Sequence, residues 1–385
     1  MSNSNVQPFH VAIEQAVIDR IWGRLADAHW AEAPDDDDDW TYGTDARWLR
    51  SFVRHWLERY DWRAAERALN QWPQFTADVE GQRIHFYHVK GSASRARPLL
   101  LTHGWPGSVV EFLGSIERLA HPERFGGSSE DGFDLVIPSL PGYGFSQRPA
   151  RPIGPRTVAR LWRGLMVDAL GYATFAAQGG DWGAAVTHLL GIDHADVTKA
   201  IHLNMVPSWA LPPAEKPDAA EAAFLARIAS MRAREMGYHL VQSTKPQTIS
   251  LALTDTPLGF AAWVCEKFRT WGDTKGNIDS RFDRDTLITN LMLYLVNDAV
   301  GPAMWMYRGR WEEMAAGGAM PRVDIPVGIA LFPAELIPYP PRAVAERGFA
   351  VARWTEMPAG GHFAALEEPV AFSDEVRAFF AQIGY

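Results

Sequence analysis

The chain has 385 residues, 47% of them hydrophobic, which is more than one ordinary domain needs and enough for a large buried core. Its formal net charge of −9 argues against nucleic acid or an anionic membrane surface as a partner, and its single cysteine, Cys265, excludes an internal disulfide and suits a reducing cytoplasm. Residues 1–15 hold neither a basic start nor an apolar run, and no stretch reaches roughly 18 uninterrupted apolar residues. Neither a signal peptide nor a transmembrane anchor is therefore expected, and the protein reads as soluble and cytoplasmic.

In chain order, residues 1–95 read as a Trp-rich, largely helical arm. Ile13, Val17, Ile18, Ile21, Trp22 and Leu25 recur at helical spacing, as do Trp48, Phe52, Trp56 and Leu57. The acidic run Asp35–Asp39 is expected as a solvated turn, because nothing arranges its carboxylates around a metal ion. Phe75 to Val89 predicts two strands around Glu80-Gly81, leading into the main sheet. Residues 96–206 then alternate strands at 98–103, 134–138, 174–178 and 198–203 with helices at 156–170 and 183–194, which implies a mostly parallel sheet covered on both faces. Residues 207–321 lack strand patterns and read as a helical cap, entered through Pro212, Pro213 and Pro217 and left near Gly317-Gly318. Residues 322–385 resume the sheet with strands at 326–332 and 350–355. A cap inserted there lies over the carboxyl ends of the strands, where ligands of open α/β sheets bind.

The chemistry is concentrated in Gln178-Gly179-Gly180-Asp181-Trp182-Gly183. A strand running into a helix through small-x-nucleophile-x-small is a nucleophile elbow, with aspartate where esterases carry serine; the chain has no Gly-x-Ser-x-Gly. A carboxylate nucleophile attacks saturated carbon and forms an alkyl ester, which water must later cleave. Upstream, Pro98–Thr102 runs into His103-Gly104-Trp105-Pro106-Gly107, the position from which an oxyanion hole takes one backbone N–H. The backbone N–H groups of Trp105 and Trp182 are the candidate donors. Downstream, a strand ends at Phe332-Pro333-Ala334-Glu335, and Gly360-Gly361-His362 precedes the last helix. Asp181, Glu335 and His362 stand in the nucleophile–acid–base order of α/β-hydrolases.

These motifs, with Pro138-Ser139-Leu140-Pro141-Gly142-Tyr143-Gly144-Phe145-Ser146, Gly237-Tyr238 through Thr244-Lys245-Pro246 and Tyr307-Arg308-Gly309-Arg310, make the chain resemble the microsomal-type (juvenile-hormone-type) epoxide hydrolases over nearly its whole length. The resemblance implies an α/β-hydrolase fold, a mostly parallel central sheet with a helical cap and an N-terminal arm. It implies conversion of an epoxide and water to a vicinal diol, with Tyr238 and Tyr307 as cap proton donors. A phenol suits that task, because an ordinary pKa near 10 keeps it protonated yet able to meet a developing alkoxide. The expected partner is a small apolar or aromatic epoxide, with Trp263, Trp305 and Trp311 as candidate lining residues; a homodimer is left open. No cofactor or metal is expected, and the histidines form no HExxH or Cys/His framework. A haloalkane dehalogenase shares the aspartate, base and oxyanion hole, and a non-catalytic binding protein shares the fold. The cap tyrosines weigh against the first and the complete triad against the second.

Overall fold

The computed structural model describes residues 6–35, 40–212, 214–315 and 320–385. The expected turn at Asp35–Asp39 lies outside them apart from Asp35, as do Pro213 and Gly317-Gly318. The strands are β1 (Gln7–Phe9), β2 (Gln74–Val79), β3 (Gln82–Val89), β4 (Pro98–Thr102), β5 (Asp134–Pro138), β6 (Phe175–Gly179), β7 (Thr198–Leu203), β8 (Val323–Leu331) and β9 (Phe349–Glu356). They form one nine-stranded sheet in the order β1-β2-β3-β5-β4-β6-β7-β8-β9. β1, β2, β3 and β5 pair antiparallel, and from β5 through β4 to β9 every pair is parallel. Every residue of β4, β5 and β6 is buried, as expected of parallel strands with helices on both faces.

The structure differs from the sequence reading in three places. β1 lies inside what reads as a helical arm and pairs with β2 from Gln7↔Thr76 to Phe9↔Gln74, so the first described residues extend the sheet. β8 begins at Val323 rather than at Pro326. Proline cannot donate to a ladder, and Pro326 is accommodated where the β8–β9 register slips. The helix expected at 156–170 is α-helical over Pro155–Arg163 and widens to π winding over Gly164–Ala169.

Three helices, Gln15–Ala26, Ala46–Glu58 and Trp62–Leu69, precede β2. Asp45 and Asp61 cap the latter two by accepting from the N–H groups of Trp48 and Arg63, at 2.6 and 2.8 Å. Between β7 and β8 the described residues form the helices Ala219–Glu235, Gly237–Thr244, Pro246–Asp255, Pro257–Trp271, Arg284–Leu295 and Val300–Ala315. The N-terminal helices reach across to this insertion. Arg24 donates to the Asp255 carbonyl at 2.8 Å, Thr44 to the Ala262 carbonyl at 2.7 Å, and Trp48 Nε1 to Asp279 at 3.2 Å. His55 meets Asp285 at 2.6 Å, Tyr60 meets Thr289 at 3.0 Å, and Arg284 donates to Ser51 at 3.0 Å. No helix among the described residues is long and apolar enough to cross a membrane.

Candidate active site

The sheet order brings the functional segments together. β4 and β6 are neighbours, with Thr102 opposite Gly179, so the loop after β4 and the turn after β6 emerge side by side. Asp181 sits at the start of the helix Asp181–Asp193 with φ +49°, a backbone strain typical of functional sites. The turn is tight enough to demand glycine on both sides. A Cβ on Gly179 would strike the Gly183 carbonyl, and one on Gly183 would strike the Thr102 carbonyl. The elbow is also braced from β7, because Gln178 Nε2 donates to Asn204 Oδ1 at 2.7 Å and Tyr339 Oη donates to the Asn204 carbonyl at 2.6 Å. Tyr339 Oη in turn accepts from the Phe332 N–H at 3.1 Å, at the head of the loop carrying Glu335.

Two groups grip the Asp181 carboxylate from opposite sides. The Trp105 N–H donates to Oδ1 at 2.8 Å, and His362 Nε2 stands 3.3 Å from Oδ2. The Trp182 N–H makes no hydrogen bond to the carboxylate. His362 Nδ1 contacts both oxygens of Glu335, at 2.9 and 3.1 Å, and the Glu335 side chain is fully buried. Burial alone would lower the His362 pKa, but Glu335 and Asp181 together hold it well above the ordinary value. Nε2 is buried without a well-aligned hydrogen-bond partner among the described residues.

The predicted phenols meet above this group. Tyr238 stacks on Trp105 with centroids 5.2 Å apart and planes at 9°, and Tyr307 stands edge-on to Trp105 at 5.8 Å and to Trp182 at 4.7 Å. The two tyrosine rings are 5.8 Å apart. Burial, reinforced by the Asp181 charge, raises the pKa of both well above 10, so both stay protonated at neutral pH. The buried Tyr307 hydroxyl makes no well-aligned hydrogen bond among the described residues, with Tyr238 and Trp182 as its polar neighbours.

The candidate lining tryptophans separate. Trp263 donates to Gln242 Oε1 at 3.1 Å and shares Lys267 with Tyr238, at the edge of the aromatic group. Trp305 and Trp311 are not brought to the carboxylate. Trp305 faces a cavity of about 740 Å³ lined by Arg20, Arg24 and Arg148, and Trp311 is 50% exposed. Their place is taken by Trp271, which sequence reasoning missed. Its ring lies 5.1 Å from Tyr238 and 5.0 Å from His362, and its carbonyl accepts from the His362 N–H at 3.0 Å. His103 was legible only as part of its motif. Its ring donates from Nδ1 to the Gly104 carbonyl at 3.0 Å and accepts at Nε2 from the Leu140 N–H at 3.1 Å. Burial keeps it neutral, with its pKa lowered to about 4, so it joins the Trp105 loop to the Leu140–Gly144 loop as a structural strut. Among the described residues no three His, Cys, Asp or Glu side chains converge as metal ligands.

Comparison with known proteins agrees with this geometry. Residues 6–112 match the family described as epoxide hydrolase N terminus, and residues 97–248 match the alpha/beta hydrolase fold. A provisionally named epoxide hydrolase of Stigmatella aurantiaca is 38% identical over 98% of this chain and 85% of its own length. Juvenile hormone epoxide hydrolase 2 of Ctenocephalides felis is 31% identical over 97% of this chain and 85% of its own. The solved epoxide hydrolase of Aspergillus niger superposes with a TM-score of 0.86 at 32% identity, covering 99% of this chain and 98% of that one. These relatives favour neither the dehalogenase nor the binding-protein alternative. The chain belongs to the epoxide hydrolases, in the branch that includes the juvenile hormone enzymes, and it hydrolyses epoxides.

Proposed function

We propose that Asp181 opens the epoxide and that His362 drives hydrolysis of the resulting ester. One observation carries this reading: a strained carboxylate held by the Trp105 N–H at Oδ1 and faced by His362 Nε2 at Oδ2. Oδ2 attacks a ring carbon as the carbon–oxygen bond of the epoxide breaks, and Tyr238 or Tyr307 supplies the proton that the ring oxygen takes up. Water then adds to the Asp181 carboxyl carbon while His362 Nε2 takes one of its protons. Glu335 orients and stabilises the imidazolium. The oxyanion forms on Oδ1 against the Trp105 N–H, joined by the Trp182 N–H, each such donor contributing roughly 3–4 kcal/mol in comparable enzymes. Collapse breaks the bond from carbon to Oδ2, and the diol leaves with the proton from His362. The second proton of the water, released as Asp181 regains its charge, restores the phenol.

The same site supports an apolar or aromatic epoxide, since Trp105, Trp182, Trp271, Tyr238 and Tyr307 surround the carboxylate. The division into arm (1–95), core (96–206 and 322–385) and cap (207–321) is supported by the run of α-helices that the described residues form between β7 and β8. Exposed Leu240, Trp311 and Met314, on cap helices that pack together, support a homodimer formed through that face. The buried, unpaired Cys265 supports a cytoplasmic location.

The test is His362→Gln mixed with styrene oxide. Ring opening survives, so intact mass spectrometry shows protein plus one substrate, mapped to the Asp181 peptide. Normal turnover by this variant, or an adduct on another residue, would overturn the assignment.

A further inference from the structure

One carboxyl close to the reacting atoms has no part in the scheme above. Glu111 lies in the 3₁₀ turn Val109–Phe112, just after the loop that holds Asp181. It folds back under that loop, where a Cβ on Gly107 would overlap its carboxyl oxygen. The Gly104 backbone N–H donates to the carboxyl. Burial raises its pKa to about 8, yet the residue keeps accessible surface, as Asp181 does with 18% of its side chain. Gly104 sets it beside the reacting atoms: the N–H of Gly104 meets the Glu111 carboxyl, a Cβ on Gly104 would overlap Asp181, and Glu111 interacts electrostatically with both His362 and Asp181. The other titratable groups facing it are Glu367, in the helix after the base loop, and Tyr294, whose hydroxyl donates to the Gly107 carbonyl.

We propose that Glu111 positions the hydrolytic water: its carboxyl accepts one hydrogen of the water whose other hydrogen goes to His362. The inference rests on the two-step reading of the site. A water that attacks the Asp181 ester must hold a lone pair toward the carboxyl carbon, and one base on one side leaves it free to rotate. An acceptor beneath the Gly104–Gly107 loop removes that freedom. Glu111 is needed only in the second half-reaction, because no water takes part in the first. Below about pH 8 it is neutral and can act as acceptor without adding charge beside the oxyanion. Ionised, it sets a second negative charge next to the one developing on Asp181, so hydrolysis slows on the alkaline side.

The experiment follows both half-reactions by rapid quench and intact mass after mixing with styrene oxide, in wild type, Glu111→Gln and Glu111→Leu. In wild type an adduct on Asp181 must appear and decay; its absence would defeat the two-step reading rather than this inference. The Leu variant should alkylate within threefold of wild type and hydrolyse the ester at least tenfold more slowly. Glutamine keeps an acceptor oxygen and should restore most of the hydrolytic rate while losing the alkaline decline. Equal slowing of both steps by leucine would make Glu111 a support of the loop and overturn the proposal, as would no effect on either step. If the leucine variant does not fold, the glutamine profile decides: loss of the alkaline decline supports the proposal, and an unchanged profile overturns it.

Discussion

In the proposed mechanism the charge on Asp181 governs the residue that later acts on it. In the resting enzyme two carboxylates face His362 and hold its pKa well above the ordinary value, so the imidazole is protonated and a poor base. In that scheme ring opening would convert Asp181 to a neutral ester and remove one of those charges, and the His362 pKa would fall. The proposed base would thus be switched on by the step that creates its substrate. Ester hydrolysis should therefore rise with pH through an apparent pKa below that of His362 in the free enzyme. Single-turnover decay of the adduct, set against titration of the His362 ring by NMR, measures the two. The phenols make a second prediction. Each hydrogen bond to a developing alkoxide is worth roughly 1.5–3 kcal/mol, or about 10–100-fold in rate. Tyr238→Phe and Tyr307→Phe should each slow alkylation by that factor and the double variant should be nearly inactive, with ester hydrolysis little changed. Alkylation near the wild-type rate by the double variant would show that the acids lie elsewhere. Asp181, Glu335, His362, Tyr238 and Tyr307, which the fold brings together, could be picked out in the sequence because each lies in a local motif. Trp271 could not, because only tertiary contact brings it to Tyr238 and His362. Trp305 could have been set aside on sequence alone: two residues before Tyr307, it points roughly 200° away around the helix. Trp311, one turn beyond Tyr307, shares its face but runs out into solvent.

At the scale of elements, the loop that carries His362 depends on ties between segments distant in sequence. Arg281, after the helix Pro257–Trp271, reaches Asp273 at 3.0 Å and Glu368 at 2.8 Å. Asp273 accepts from the Gly360 N–H at 3.2 Å, beside His362. Glu367 accepts from the N–H groups of Phe363 and Asp273 at 2.9 and 2.7 Å, which binds the His362 loop to the segment after the helix Pro257–Trp271. Removing one partner of a buried pair costs about 3–5 kcal/mol; the Arg281 side chain is 21% exposed, which places Arg281→Ala nearer 2 kcal/mol. The urea midpoint should fall with an unchanged slope, and Arg281→Lys should recover little, because an ammonium cannot reproduce the fork between two carboxylates. A midpoint within error of wild type for Arg281→Ala would remove this tie from the description. The strand–helix alternation was readable from apolar runs and turn residues. β1 was not, since three residues carry no period and the strand exists only through pairing with β2, more than sixty positions away. The widening at Gly164–Ala169 likewise left no mark in a pattern that continues smoothly past it.

In the whole molecule, the N-terminal helices bind two parts that the chain itself separates. They follow β1, stitched to the sheet edge, and side chains of this region then bond to four places in the insertion between β7 and β8: Asp255, Ala262, Asp279 and Asp285–Thr289. Such a strap resists hinge motion, because lifting the insertion between β7 and β8 would break these hydrogen bonds together. Amide hydrogen exchange in the helices Pro257–Trp271 and Arg284–Leu295 should be as slow as in β4–β6, and Thr44→Val with Arg24→Ala should quicken it there first. Fast exchange of the wild-type cap helices would show that the strap does not hold. A strapped insertion also bears on selectivity: among epoxides of equal intrinsic reactivity the slimmer should be turned over faster, and loosening the strap with Thr44→Val and Arg24→Ala should narrow the difference.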